Sequence, residues 1–320
     1  MKKVFVLILT LLLAFGAMAE GDLRVVALKG PTAIGMVKMR SEAEGGDLAD
    51  RGYSFEFAAA IDEVTPQIVQ GNVDIAAVPA NLASVLYNNT EGAVQVLAIN
   101  TLGVLYIVEN GDSVQDIGDL RGKTVYASGK GATPEYALNY ILTGNGIDPE
   151  TDVTIEWKSE HAECLNAMLA AENGIALLPQ PFVTVAQTKS EGLRVAVDLN
   201  EAWDALQEGS DAPSALLTGV VVVRKAYAEE HPEEVSAFLD DYAASVAFTE
   251  TNLEEAAALV GGYDIVPEPV ALKAIPACNI TMIEGEEMEQ KLSGYLAVLY
   301  EQNPKSVGGS LPDGDFYYKR

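Results

Sequence analysis

The residues Lys29-Gly30-Pro31-Thr32 (KGPT) and Lys130-Gly131-Ala132-Thr133 (KGAT) repeat one pattern at an offset of 101. Each follows a β-branched apolar run, RVVAL or KTVYAS, and each precedes a stretch that reads as helix. Such a turn can hold a polar ligand. The glycine lets it approach the backbone, the threonine offers a hydroxyl, and the N–H groups of a starting helix favour a negative group by about 0.3–1 kcal/mol. A second echo lies beside the first, IAAVPAN at Ile75–Asn81 and IALLPQP at Ile175–Pro181, at an offset of 100. Pro79 and Pro179 close apolar strands. The amides of Asn81 and Gln180 beside them suit the orientation of a polar ligand, and Phe182 is either an apolar wall or a piece of core. Ser159 fits the N-cap of a helix from Glu163, which sets His161 at a helix start in the same half of the chain. Read singly, each threonine only caps its helix. Read as a matched pair, the two turns serve equally as the walls of one cleft. Lys29 and Lys130 read more simply as solvated charges.

The chemistry these residues imply is binding. There is no G-x-S-x-G, H-E-x-x-H, P-loop or G-x-G-x-x-G. The two cysteines, Cys164 and Cys278, and two histidines form no metal-ligand spacing. We therefore expect no catalytic residue, metal or cofactor, and two separate buried thiols, although an oxidising compartment would permit their pairing. The net charge of −27 opposes contact with nucleic acid.

The turns need strands and helices to hold them. From Leu23 the chain alternates strand-like and helix-like stretches, the pattern of α/β layers. Arg24–Leu28, Tyr53–Phe57 and Val73–Val78 read as strands. Pro31–Met39 reads as a helix, and another is expected to open at Thr65-Pro66. After a polar, turn-rich stretch (NGDSVQDIGDL) the order restarts with a strand at Lys123–Ala127 and a helix at Pro134–Thr143. An acidic small-residue linker, EGSDAPSA, precedes the apolar run Leu216–Val223, and the remainder reads as mainly helical. Two pairs of strand-end turns at nearly one offset predict two lobes with the same internal order. Ahead of them, Lys2 and Lys3, the apolar Val4–Phe15 and Ala17-Met18-Ala19 read as a secretory signal peptide. No cysteine stands directly after that run, the first being Cys164, so no lipid anchor is expected.

Taken as a series, the blocks LKGPTAIGMVK, GNVDIAAVPANLASVLYN, DLRGKTVYASGKGATPEYALNYIL, SEHAEC and IALLPQPFVT resemble substrate-binding proteins of ABC importers. The nearest group is the NMT1/THI5-like and SsuA-like branch, associated with nitrate, sulfonates, taurine and thiamine-pyrimidine precursors. The resemblance implies an α/β, type II periplasmic-binding-protein fold: two α/β lobes joined by two crossing strands, Gly103–Glu109 and Leu216–Val223, with a helical C-terminal region. It implies a signal peptide at 1–19, a first lobe at 20–107 plus 219–320 and a second at 108–218. By likeness of position, ligand contacts fall on Gly30 and Thr32, on Pro79 and Asn81, and on Lys130, Gly131, Ala132, Thr133 and Pro134. Ser159 with His161 and Gln180 with Phe182 complete the set. The implied protein is a periplasmic, monomeric, non-enzymatic receptor that delivers a small-molecule solute to an ABC permease in the inner membrane. Its first and third turns carry no arginine, which leaves room for a small polar or heterocyclic solute rather than a strongly clamped anion. The runner-up is an enzyme on the same fold, with Glu160 or His161 as its acid or base, and a ligand-sensing partner of a membrane receptor is a third reading.

Overall fold

A computed structural model describes residues 23–59, 61–159, 161–190, 192–208 and 214–320. The expected signal peptide, Glu160 and most of the acidic linker lie outside the described residues.

The strands in chain order are β1 (Leu23–Leu28), β2 (Tyr53–Ala58), β3 (Ile75–Pro79), β4 (Val94–Leu102), β5 (Leu105–Asn110), β6 (Thr124–Ser128), β7 (Thr154–Lys158), β8 (Ile175–Pro179), β9 (Leu193–Asp198), β10 (Leu217–Arg224) and β11 (Ile280–Ile283). They form two sheets, ordered β11-β4-β10-β3-β1-β2 and β7-β6-β8-β5-β9. In the first, β1 is parallel to β2 and β3, and β10 lies antiparallel between β3 and β4. In the second, β6 is parallel to β7 and β8, and β5 lies antiparallel between β8 and β9. Both sheets therefore follow one plan. A parallel triplet in the order second, first, third is followed by an antiparallel strand that has just entered from the other lobe, then by a fourth strand. The 100-residue echo is the trace of this plan, because β1 matches β6 and β3 matches β8.

The two strands that carry the chain across are β5, entered through Gly103-Val104, and β10, and each is registered wholly in the sheet it enters. The central strands are near-continuous apolar runs because helices cover both faces of each sheet. The edge strand β2 instead alternates half-buried and exposed positions over its first half, as YSFEF predicts.

The start of the helix after β2 differs from expectation. The helix after β2 runs Ile61–Val69 and carries Pro66 inside it. The Glu63 carboxylate accepts the Ala59 N–H at 2.9 Å, so the start is closed by an acid four residues on, not by Thr65. Burial of Val64 and Ile68 holds this helix to the sheet despite the proline. The helix expected at Pro31–Met39 is two, Pro31–Ile34 and Val37–Gly45.

The core has three parts. One lies on the outer face of the first sheet and takes Val25, Phe238, Tyr242 and Cys278. A second covers the outer face of the second sheet with Val108, Leu178 and Cys164. The two thiols are thus buried in different lobes. The third is continuous across the lobes. It joins Val26 and Ile99 of the first sheet to Ile107 and Val125 of the second, and the helix Gly285–Gln302 inserts Met288, Leu292, Tyr295, Leu296 and Leu299 into it. At about 1.5–3 kcal/mol for each large apolar side chain buried, this face anchors the helix far more strongly than any single polar bond does.

Candidate functional site

Strand register brings the turns of the two lobes together. Leu102, the end of β4, pairs with Leu217 at the start of β10, and Gly219 pairs with Pro79 at the end of β3. On the other side of Gly103-Val104, Leu105 at the start of β5 pairs with Pro179 at the end of β8, and Tyr106 with Asp198 at the end of β9. The carboxyl ends of β3 and β8 therefore both face the crossing. Strands β1 and β6 run parallel to them, so the turns after Leu28 and Ser128 share the same rims. The Gln180 N–H donates to the Val104 carbonyl at 3.0 Å, which ties the fifth turn to the crossing itself.

On the first lobe, Gly30 has φ 126° and opens the short helix Pro31–Ile34, and a side chain there would be strained though not crowded. Thr32 is 5% exposed. Its hydroxyl donates to the Leu28 carbonyl at 2.6 Å, and its own carbonyl accepts from the Asn100 amide at 3.0 Å. The hydroxyl proton is thus committed to the strand end, and what Oγ1 has left for a ligand is acceptor capacity. A Cβ on Gly219 would stand 2.3 Å from Thr32 Cγ2 and 2.5 Å from Asn100 Oδ1, so the glycine makes room for this packing. Pro79 caps the helix Ala80–Asn89. The Asn81 amide donates to the Ser306 carbonyl at 3.2 Å, and Ser84 and Asn88 bind the Val307 carbonyl on the same helix face.

On the second lobe, the turn runs from Gly129 (φ 83°) through exposed Lys130 and Gly131 (φ 79°) to Ala132, the N-cap of the helix Thr133–Gly144. Pro134 sits in its first turn, and Glu135 accepts the Gly131 N–H at 2.5 Å. The Thr133 hydroxyl lies 2.9 Å from the Tyr295 hydroxyl. His161 is the first residue of the helix His161–Ala170, two residues earlier than expected. Ser159 is exposed and does not stand next to that start; its N–H donates to Glu163 at 3.0 Å. Buried Ser128, the last residue of β6, lies 2.6 Å from His161 Nδ1, and the Phe182 ring is tilted over the imidazole with centroids 5.0 Å apart. Burial pushes the imidazole pKa below its ordinary 6.5, so it is neutral at neutral pH. Buried Gln180 precedes a cis peptide to Pro181, and its Oε1 accepts from the Thr184 N–H (3.3 Å) and hydroxyl (2.9 Å).

Ser128, Asn100, Gly219 and Tyr295 join the site without having been singled out in the sequence. Ser128 was findable, since it ends the strand matched to β1. Tyr295 is distant in sequence and has no motif. Among the described residues, surface grooves lined by Leu97 and Glu284, by Gly71 and Arg224, by Leu102 and Ile275, and by Asn145 and Asp198 contain none of the expected residues.

The arrangement offers neutral hydroxyls, one neutral imidazole, an aromatic face and helix starts on two rims, on two lobes joined by the crossing strands. That is the architecture of a two-lobed periplasmic solute-binding protein. The family model described as "ABC transporter, phosphonate, periplasmic substrate-binding protein" matches residues 48–262, and the chain belongs to that family. Its fold is similar to that of an ABC transporter protein from Parabacteroides distasonis (TM-score 0.75, 23% identity, 93% of this chain and 99% of that one). It is also similar to the periplasmic aliphatic sulphonate binding protein SsuA from Escherichia coli (TM-score 0.73, 16% identity, 93% and 92%). A third is the alkanesulfonate-binding protein SsuA from Xanthomonas axonopodis pv. citri bound to MOPS (TM-score 0.64, 14% identity, 92% and 96%). No curated protein matches the chain in sequence. Among the described residues no helix is long and apolar enough to cross a membrane.

Proposed function

We infer that this chain captures a small polar organic solute between its lobes in the periplasm and delivers it to an ABC permease of the inner membrane, without chemical turnover. The observation that carries this reading is the register of Pro79 with Gly219 and of Pro179 with Leu105, which turns the strand ends of both lobes toward one crossing. Ligands of open α/β sheets bind outside the carboxyl ends of strands. A solute there meets acceptor capacity on Thr32, the hydroxyl of Thr133, the imidazole of His161 and the face of Phe182. It meets backbone N–H groups rather than a guanidinium. This set suits a compact polar head, such as a phosphonate or sulfonate held by neutral donors, on a small organic or heterocyclic body. The SsuA-like side of the resemblance is favoured by the fold neighbours; the NMT1/THI5 side rests on the sequence blocks alone.

The Ser128–His161 contact has the geometry of a nucleophile and a base, which keeps the enzyme reading open. Against it, Ser128 is 3% exposed, so its hydroxyl is not open to a substrate. Glu160, the other acid/base candidate, lies outside the described residues. Calorimetric titration with methylphosphonate, ethanesulfonate and a 4-aminopyrimidine tests the proposal. One-to-one binding of at least one, recovered unchanged, is expected. Conversion of the bound compound would move the protein to the enzyme reading.

A further inference from the structure

We propose that Tyr295 is a positioning residue that couples the third turn, and with it Thr133, to closure of the two lobes. Tyr295 is 0% exposed and lies on the helix Gly285–Gln302, which packs against β4 and the helix Ala80–Asn89 of the first lobe and also reaches the second-lobe helix Thr133–Gly144. Its hydroxyl bonds to Thr133 at the start of that second-lobe helix, 2.9 Å away. Two further bonds run along the same pair of helices. Gln302 Nε2 donates to the Tyr136 carbonyl at 3.1 Å, and Asn303 Nδ2 to the Tyr136 hydroxyl at 3.2 Å. The Tyr295 ring continues through Trp203 (5.8 Å) to Tyr140 (4.3 Å from Trp203) on that second-lobe helix.

A buried hydroxyl needs a partner, and here the partner stands on the opposite lobe. Separating the lobes draws the two hydroxyls apart and leaves the Tyr295 hydroxyl to find another partner; bringing the lobes together restores the bond. The same bond orients the Thr133 hydroxyl, which has one proton and two lone pairs to share between Tyr295 and a solute. Closure and the donor or acceptor character of Thr133 are therefore set together. The inference rests on the proposed reading in one respect, that the lobes close around a solute.

The test needs no knowledge of that solute. Gln70 and Glu172 are exposed near the amino ends of β3 and β8, away from the crossing, while both native thiols are fully buried. The pair Gln70→Cys and Glu172→Cys carries fluorescent donor and acceptor for single-molecule distance measurement, with and without methylphosphonate. Tyr295→Phe keeps the ring and removes the hydroxyl. It should lower the closed-to-open ratio about fivefold while thermal melting shows the chain folded. Thr133→Val should open the lobes further, because it leaves the Tyr295 hydroxyl buried without a partner. The double variant should be no more open than Tyr295→Phe alone. An unchanged distance distribution in Tyr295→Phe, or additive opening in the double variant, would overturn the coupling. If the variants shift the distribution while methylphosphonate does nothing to the wild type, the coupling stands and the phosphonate reading fails.

Discussion

At the scale of single residues, the turns at the strand ends commit polar atoms to fixed partners. Thr133 is the clearest case. Because the Tyr295 hydroxyl depends on it, Thr133→Val should cost about 1–3 kcal/mol of stability by orphaning a buried donor. Adding Tyr295→Phe should recover much of that stability, whereas affinity for the solute stays weakened, about tenfold or less. Thermal melts and titrations of the three variants check this. His161 makes a second prediction. Burial holds its pKa below the ordinary 6.5, so the unfolded chain takes up a proton at higher pH than the folded one does. Stability should therefore fall as pH drops below about 6.5 and level off once the folded-state pKa is passed. His161→Gln should flatten that part of the profile, and urea unfolding of both proteins between pH 5 and 7.5 reads the difference. Equal slopes would show that the imidazole is not buried as described.

At the scale of elements, the first turn is seated on strands distant from it in sequence, through Asn100 and Gly219. Gly219→Ala places a methyl 2.3 Å from Thr32 Cγ2 in a packed interior. It should destabilise by about 1–3 kcal/mol and displace the turn, weakening solute binding as well. A variant with wild-type melting and affinity would show that the turn is not seated on β10. This level was partly legible in the sequence. The apolar runs ending in KGPT, KGAT, VPAN and LPQP identify four strand ends, and their common offset reveals a repeated lobe. The helix start at Ile61 was not legible, because Glu63 supplies the closure through a side chain four residues from its partner while Thr65-Pro66 imitates a start. The roles of Asn100, Gly219 and Tyr295 were not legible either. They arise from pairing between distant strands and from a helix that returns to the second lobe, and no local pattern encodes such contacts.

At the scale of the whole molecule, the two sheets share a plan and exchange one strand each, so the crossing at Gly103-Val104 lies where both sets of strand ends converge. A solute that touches both rims binds the closed form better than the open one, and this difference drives closure. Shifting the population from 1:99 to 99:1 takes about 5.5 kcal/mol of differential affinity. A micromolar complex has about 8 kcal/mol in total, enough if most contacts exist only when closed. Small-angle scattering should accordingly show a smaller radius of gyration when the solute is added, and no change on adding a compound that fails to bind. The most direct measurement is a crystal structure with whichever of methylphosphonate, ethanesulfonate or the aminopyrimidine binds most tightly. The account predicts that compound between the lobes, against the turns of Thr32, Thr133 and His161. A compound seated in one of the outer grooves, with the turns untouched, would contradict it.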